Sequence, residues 1–412
     1  VRGHSRYLWG NETYEKNNLY GRYITYGSLQ ILGSGTPVNN GDSGFWQEGW
    51  DWNHFPGTTS VALPWEELRQ RVCVVDATAG FEEMLLSDET FAGGVSLGGR
   101  QGCFGMKLHG HAKYDGSLRA RKSWFFFEDR ILCLGSGVED RRERYETVTT
   151  LYQHWLGEEV SGEKPEEHSV WRSEADTSLL LRDPSGNEYI VPGEQQVIVT
   201  RGLQESRAQD TGQPTFAWYE KAWISHGKGP CRGEYEYMIR IPRERPSEEA
   251  DLPLAAGPEG AERRVYRILQ KDEALHAVYD PETGIYAYVF FEACSVPEGG
   301  GGTVLGADIP CLAMEERQGE ELRISFCDPD LRFYEGQEPD QLDEDGNQEV
   351  SLYSRTWLKS ESIGKWSTVR LKGHWRLSRE RADIQARIKA GETEVSFFGK
   401  DGAVREATLR RV

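Results

Sequence analysis

The sequence predicts an all-β fold, and three observations carry that reading. Runs rich in Val, Ile, Tyr, Phe and Trp recur along the whole chain, punctuated by Gly, Pro, Asn and Asp, the pattern of strands separated by turns. Apolar residues spaced at i, i+3, i+4 and i+7, the mark of an amphipathic helix, are almost absent. A composition of 46 Gly, 13 Trp and 18 Tyr suits tight turns and pleated aromatic surfaces better than a helical bundle.

Taken in order, strands are expected at residues 20–32 (YGRYITYGSLQIL), 71–77, 103–109, 122–135 (KSWFFFEDRILCLG), 146–153, 188–192, 195–201 and 234–241. More follow at 264–270, 275–279, 284–293, 303–313, 321–327, 349–357, 367–377, 393–398 and 404–411. The longest stretch without strand character is 39–64, which must be held by something other than a β-ladder; long ordered loops in compact folds are usually functional. A chain of 412 residues has room for two or three domains. The run Pro297-Glu298-Gly299-Gly300-Gly301-Gly302 reads as a flexible junction, giving a domain at 1–298 and a smaller one at 303–412. The acidic stretch 335–349 lacks the ligand spacing of an EF-hand loop and reads as a solvated segment.

The formal charge of −19 and pI near 5.1 argue against a nucleic-acid partner, whose affinity comes from basic side chains neutralising phosphates. With mean hydropathy −0.65 and no run approaching eighteen apolar residues, no helical membrane span is expected. An anionic polymer would have to meet a local basic cluster: Arg2, His4 and Arg6; Arg119, Arg121 and Lys122; or Arg141, Arg142 and Arg144. Seven cysteines show no CxxC spacing, and those in apolar runs, such as Cys73 and Cys133, read as buried thiols.

No nucleophile elbow, HExxH, phosphate-binding loop or dinucleotide fingerprint is present, so serine hydrolysis, phosphoryl transfer and nicotinamide chemistry have no support. His109 and His111 would share one face of a strand, a pair short of a metal site, and read as a solvated face. Asn11-Glu12-Thr13 matches a glycosylation sequon. The densest stretch runs from Glu48 to Thr59 (EGWDWNHFPGTT). Its indoles, carboxylates, amide and imidazole could stack on and bind sugars, or could form a structural plug whose polar groups satisfy one another.

These residues resemble a family. Trp9-Gly10-Asn11-Glu12-Thr13-Tyr14, then Leu19-Tyr20-Gly21-Arg22-Tyr23, then EGWDWN-x-x-PGTT look like the chondroitin and hyaluronan lyases of polysaccharide lyase family 8. The likeness continues through Ala120 to Phe126, the IxCLGSG run ending at Gly137, Thr149 to His154, and Glu234 to Met238. It implies a large antiparallel β super-sandwich followed by a smaller C-terminal β-sandwich, and the partner such domains have, a preceding α/α toroid that carries the family's catalytic Asn, His, Tyr and Arg. The implied activity is β-elimination at a uronic acid of chondroitin or dermatan sulfate, with hyaluronan as a further candidate substrate, by a secreted or periplasmic enzyme.

By this resemblance the W-x-x-E-x-Y motif makes Glu12 the catalytic-support acid, pairing with the Arg and orienting the Tyr across the cleft. Three residues on, where the family often has an Asn lining the same cleft, the chain has Glu15. The chemistry requires no cofactor. Some relatives hold calcium on the W-x-W-x-x-x-P-G segment, which makes Asp51 and Asn53 the candidate ligands. A further family acid falls here on Ala62, and a hard cation needs six or more oxygens. Two readings of other classes stay open: a non-catalytic carbohydrate-binding or scaffold β-sandwich, and a glycoside hydrolase using carboxylates such as Glu12 and Asp51.

Overall fold

A computed structural model describes residues 1–33, 40–75, 80–157, 167–172, 178–242, 255–256, 265–334 and 360–412. Four large antiparallel sheets lie face to face with three apolar cores between them. The first sheet has five strands, in spatial order Glu167–Arg172, Gln196–Arg207, Pro214–Lys228, Glu146–Trp155 and Thr59–Val61. The second has eight, from Ala255–Ala256 through Ser178–Arg182, Glu188–Pro192, Gly233–Arg240, Arg130–Glu139, Arg119–Phe127 and Gln101–His109 to Ala92–Leu97. Leu151, Val197, Val199 and Ile224 of the first meet Met106, Leu108, Trp124 and Tyr237 of the second, because period-two alternation sends these side chains to one face.

The second sheet is apolar on both faces. Its other side, with Phe125, Phe127, Leu132 and Leu134, packs on Val278, Ala287, Val289 and Leu312 of a seven-stranded third sheet. This double burial explains the near-continuous apolar runs at 122–135, which single-faced strands would not show. The third sheet in turn packs on a five-stranded fourth through Phe326, Phe397, Val395 and Leu409. The observed architecture is the all-β stack expected.

Three expectations are corrected. The run 122–135 is not one strand but parts of two, Arg119–Phe127 and Arg130–Glu139, paired antiparallel as a hairpin. Residues 20–32 do not form a strand: Gly21–Tyr23 is a 3-10 turn, and Ile24 N and Tyr26 N donate to the carbonyls of Gly21 and Tyr23 at 3.0 and 2.9 Å. The apolar residues there, Tyr20, Tyr23, Tyr26 and Leu29, recur every third position and all reach one core, so a turn spacing had been masked by β-favouring residue types. The Pro297–Gly302 run is not a domain junction either. It closes a hairpin in which Cys294 and Ser295 pair with Ala307 and Gly306, and Ile285–Phe290 pair with Cys311–Glu316 in one sheet across it. Gly302 is there because a Cβ would sit 2.2 Å from the Tyr288 hydroxyl and 2.7 Å from Glu315 Oε1. The third and fourth sheets are built from residues 267–411, so the change of layer falls before Arg267. The strand expected at 349–357 and the acidic stretch 335–349 lie outside the described residues.

Candidate functional site

Glu12 stands exposed at the rim of a cavity of about 460 Å³, and a buried polar network fixes its backbone. The motif spacing has a local cause. Trp9 and Tyr14 both pack on the small apolar cluster of Tyr7, Met84 and Leu86, so the chain between them is pinned at two ends and Glu12 projects outward. Thr13–Tyr14 forms a short strand against Phe81–Glu83, with Thr13 opposite Glu83. The Tyr14 hydroxyl donates to Glu12 Oε1, which holds the carboxylate over the cavity that both residues line.

Beneath Glu12 runs a chain of buried amides and charges. Asn18 Nδ2 donates to the Glu12 carbonyl at 3.0 Å and to Asn11 Oδ1 at 2.6 Å. Asn11 Nδ2 donates to Gln70 Oε1 and to Thr13 Oγ1, and Gln70 Nε2 donates to Glu83 Oε1 at 2.8 Å. Glu83, fully buried, also accepts from Tyr114 Oη at 2.7 Å and pairs with Lys113. Burial, then the Glu83 carboxylate, pushes the Tyr114 phenol far above its ordinary value, so it stays a donor. Asn18 has φ of 60°, a conformation Asn tolerates, and Gly21 leaves room for it: a Cβ there would lie 2.0 Å from Asn18 Oδ1. Asn11 of the sequon is thereby spent inside the fold, with its amide buried.

The cavity's floor is apolar, formed by Phe45, Trp50, Trp52, Phe55 and Pro56, and Arg2, Asn17, Asn18, Gln30 and Gln209 supply polar groups. The dense segment around Trp50 thus contributes to the site as a wall. It is held by side chains of the first sheet in place of a ladder. Gln153 accepts from Asp51 N at 2.9 Å and donates to the carbonyls of Asp51 and His54 at 3.2 and 3.0 Å. Trp52 Nε1 donates to the Arg207 carbonyl at 2.8 Å, and Ser206 Oγ donates to that of Trp50. Trp50 and Trp52 are buried, which is the plug among the two readings of this segment.

Glu15 is not brought to Glu12. It lines a separate depression with Glu66, Arg69 and Arg71. Asp51 and Asn53 do not fit a calcium site. Asp51 Oδ2 takes the Lys221 ammonium and His54 Nδ1, the latter at 2.8 Å, and Oδ1 accepts from Asn53 N at 3.0 Å. Burial acts to raise the Asp51 carboxyl, but Lys221 and His54 outweigh it and hold it well below the usual carboxylate range. Both ends of the Asn53 amide are closed on the Leu63 backbone, at 2.9 and 3.1 Å. Among the described residues no group of three or more His, Cys, Asp or Glu comes together to hold a metal ion. His109 is spent on Asp88 and the Gly116 carbonyl, and His111 caps the 3-10 turn at Lys113.

Two of the basic clusters each lose one member to the interior, while Arg119, Arg141 and Arg144 stay exposed. Lys122 is wholly buried and donates to the carbonyls of Tyr26 and Gly57 and to Thr59 Oγ1 at 3.0, 2.8 and 2.9 Å. Arg142 is paired with Asp140. Arg2 is the member of these clusters that reaches the Glu12 cavity.

Comparison with known proteins fits this geometry. The polysaccharide lyase family 8 super-sandwich domain matches residues 1–248, and the family's C-terminal β-sandwich domain matches residues 267–331. The chain belongs to polysaccharide lyase family 8. The gap between the two family 8 matches falls where the change of layer does, before Arg267. Among family 8 relatives, the chain is 42% identical over 390 residues to a chondroitin sulfate ABC exolyase of Proteus vulgaris, covering 92% of this chain and 36% of that protein. It is 39% identical to a chondroitin sulfate ABC exolyase of Bacteroides thetaiotaomicron, covering 100% of this chain and 39% of that one. The chain therefore spans a little over a third of the length of these relatives. The fold matches a chondroitin AC lyase structure from Streptomyces coelicolor with a TM-score of 0.69 at 18% identity, over all of this chain and 47% of that one.

Sequence reasoning reached Glu12 through its motif and Arg2 through its basic cluster, and missed Gln70, Glu83 and Lys221. Gln153 lay inside a family-like run, Thr149 to His154, that signalled it without assigning a role. Lys221 carried no local signal, because its partner is 170 residues away.

Proposed function

We propose that this chain is the β-rich part of a glycosaminoglycan lyase that cleaves chondroitin or dermatan sulfate by β-elimination. The observation that carries the reading is Glu12, exposed on a cavity rim and held by Tyr14, within the stretch that the family's super-sandwich domain matches. Elimination needs three acts: neutralising the uronate carboxylate, removing the weakly acidic C5 proton, and protonating the leaving O4. In this reading a preceding helical domain of the same enzyme supplies the Asn, His, Tyr and Arg that touch the sugar. Glu12 faces them as an ionised carboxylate, pairing with the Arg and orienting the Tyr, and so sets their protonation states without abstracting the proton itself. Arg2 on the same rim offers the polyanion a positive charge in an otherwise acidic chain.

The two-carboxylate hydrolase reading is disfavoured by Asp51, whose carboxylate is buried in its pair with Lys221 and is not part of the cavity lining. An inverting or retaining pair would have to face one sugar about 5 to 10 Å apart. The test is the complete enzyme on chondroitin sulfate. A rise in ultraviolet absorbance from the unsaturated uronate supports the lyase. Reducing ends without absorbance make it a hydrolase, and neither signal makes it a binding module.

A further inference from the structure

Every side-chain oxygen that a hard cation would collect on the Trp50–Asn53 segment already accepts an N–H. Asp51 Oδ2 is shared by Lys221 and His54, and Asp51 Oδ1 is taken by Asn53 N. The carbonyls of Asp51 and His54 are taken by Gln153, and Asn53 Oδ1 by Leu63 N. A calcium ion needs six or more oxygens, and here the one carboxylate is paired with a partly buried ammonium. We infer that Lys221 does in this chain what a bound divalent cation would do at this segment: its tethered positive charge joins the Asp51 carboxylate to the first sheet.

The placement explains why an ammonium suffices. Lys221 projects from the strand Pro214–Lys228, and Trp223, two residues on along the same face, packs on His54 at 4.9 Å between ring centroids. One strand therefore grips both the acid and the imidazole that share the Asp51 carboxylate. Trp50 and Trp52, on either side of Asp51, form the floor of the Glu12 cavity. A cation carried on the chain has no dissociation equilibrium, so the floor keeps its shape whatever the free metal concentration. This holds whether or not the chain is part of a lyase.

The experiment is thermal unfolding of the 412-residue chain in chelator and in millimolar calcium, with terbium luminescence sensitised by tryptophan as a second readout. The expected result is one midpoint in both conditions and no sensitised emission. A midpoint that rises with calcium overturns the inference, because any ligand bound only by the folded state stabilises it as its concentration passes the dissociation constant. Two variants test the charge itself. Lys221→Met keeps the apolar stem and should lower the midpoint by several degrees in either condition, while Lys221→Arg should retain most of the wild-type value. Wild-type stability in Lys221→Met overturns the inference, as does an equal loss in both variants. If Lys221→Met does not fold, the wild-type calcium comparison still decides.

Discussion

The Tyr14 hydroxyl donates to Glu12 Oε1, and both side chains line the same cavity. The bond fixes an otherwise exposed carboxylate in one direction. A hydrogen bond to a charged group contributes about 1.5–3 kcal/mol, and each 1.36 kcal/mol is tenfold in rate when it acts on the transition state. In the complete enzyme, Glu12→Gln is therefore expected to lower kcat by about ten- to a hundredfold with KM little changed. Tyr14→Phe should give a smaller fall in the same parameter. Steady-state absorbance assays on both variants check this, with circular dichroism to show the fold retained. Wild-type kinetics in Glu12→Gln would remove Glu12 from the mechanism.

Glu83 anchors the loop that carries Glu12, and its removal should be felt as stability first. Its carboxylate is fully buried, paired with a buried Lys113 and bonded to Tyr114 and Gln70. Breaking a buried pair from one side typically costs about 3–5 kcal/mol, because the remaining charge is stranded. Glu83→Gln is expected to lose that much in denaturant unfolding. Glu83→Gln combined with Lys113→Met should recover part of it, since no charge is left alone. A double variant no better than the single one would refute the pairing.

How much of this was legible depends on the range of the interactions. The strands at 103–109, 146–153 and 234–241 were readable because their residue types and alternation are local properties, whereas the apolar run 122–135 hid the turn at Glu128-Asp129 that makes it two strands. The stretch 20–32 was misread because β-favouring tyrosines spaced by three residues look like a strand until the turn hydrogen bonds are seen. The Gly run at 299–302 looked like a linker because sequence does not show what approaches a glycine, here Tyr288 and Glu315. Glu12 was found through a motif whose flanking aromatics pin it. The fate of Asp51 was not readable at all, since the sequence gives no reason to place Lys221 beside it.

Lys122 offers a test of how the long segment before Thr59 is held. Its ammonium reaches the carbonyls of Tyr26 and Gly57 and the Thr59 hydroxyl, joining two irregular stretches to the second sheet. Burial pulls its pKa well below the ordinary lysine value, and its Nζ is wholly enclosed among those three acceptors. Lys122→Met keeps the stem but strands buried acceptors, at about 1–3 kcal/mol for each group left unsatisfied. A loss of at least that size is expected in denaturant unfolding. Faster hydrogen exchange should appear at the amides of 56–60 and spare the core of the second sheet. An unchanged exchange pattern would show that the segment is held without Lys122.

His276 should make the stack of second and third sheets sensitive to acid. Its Nδ1 and Nε2 lie 2.7 and 2.8 Å from the hydroxyls of Ser123 and Ser136, which belong to the second sheet, while His276 belongs to the third. Ser136 Oγ donates to the Asp272 carbonyl at 2.8 Å, so it accepts from Nε2–H, and the neutral ring completes the set by accepting from Ser123 at Nδ1. Burial, with Lys271 nearby, lowers the imidazole to about 3. The folded value is below the unfolded one near 6.5, so the unfolded chain binds the proton first and stability falls as pH drops through that window. At pH 5 the loss from this ring is about 2 kcal/mol relative to neutral pH, at 1.36 kcal/mol per pKa unit. Denaturant unfolding at pH 7.5 and pH 5 measures it. His276→Gln, which keeps a donor and an acceptor but does not titrate, should show a smaller difference between the two conditions by about that amount. Equal differences in the two proteins would mean the ring does not carry the acid sensitivity.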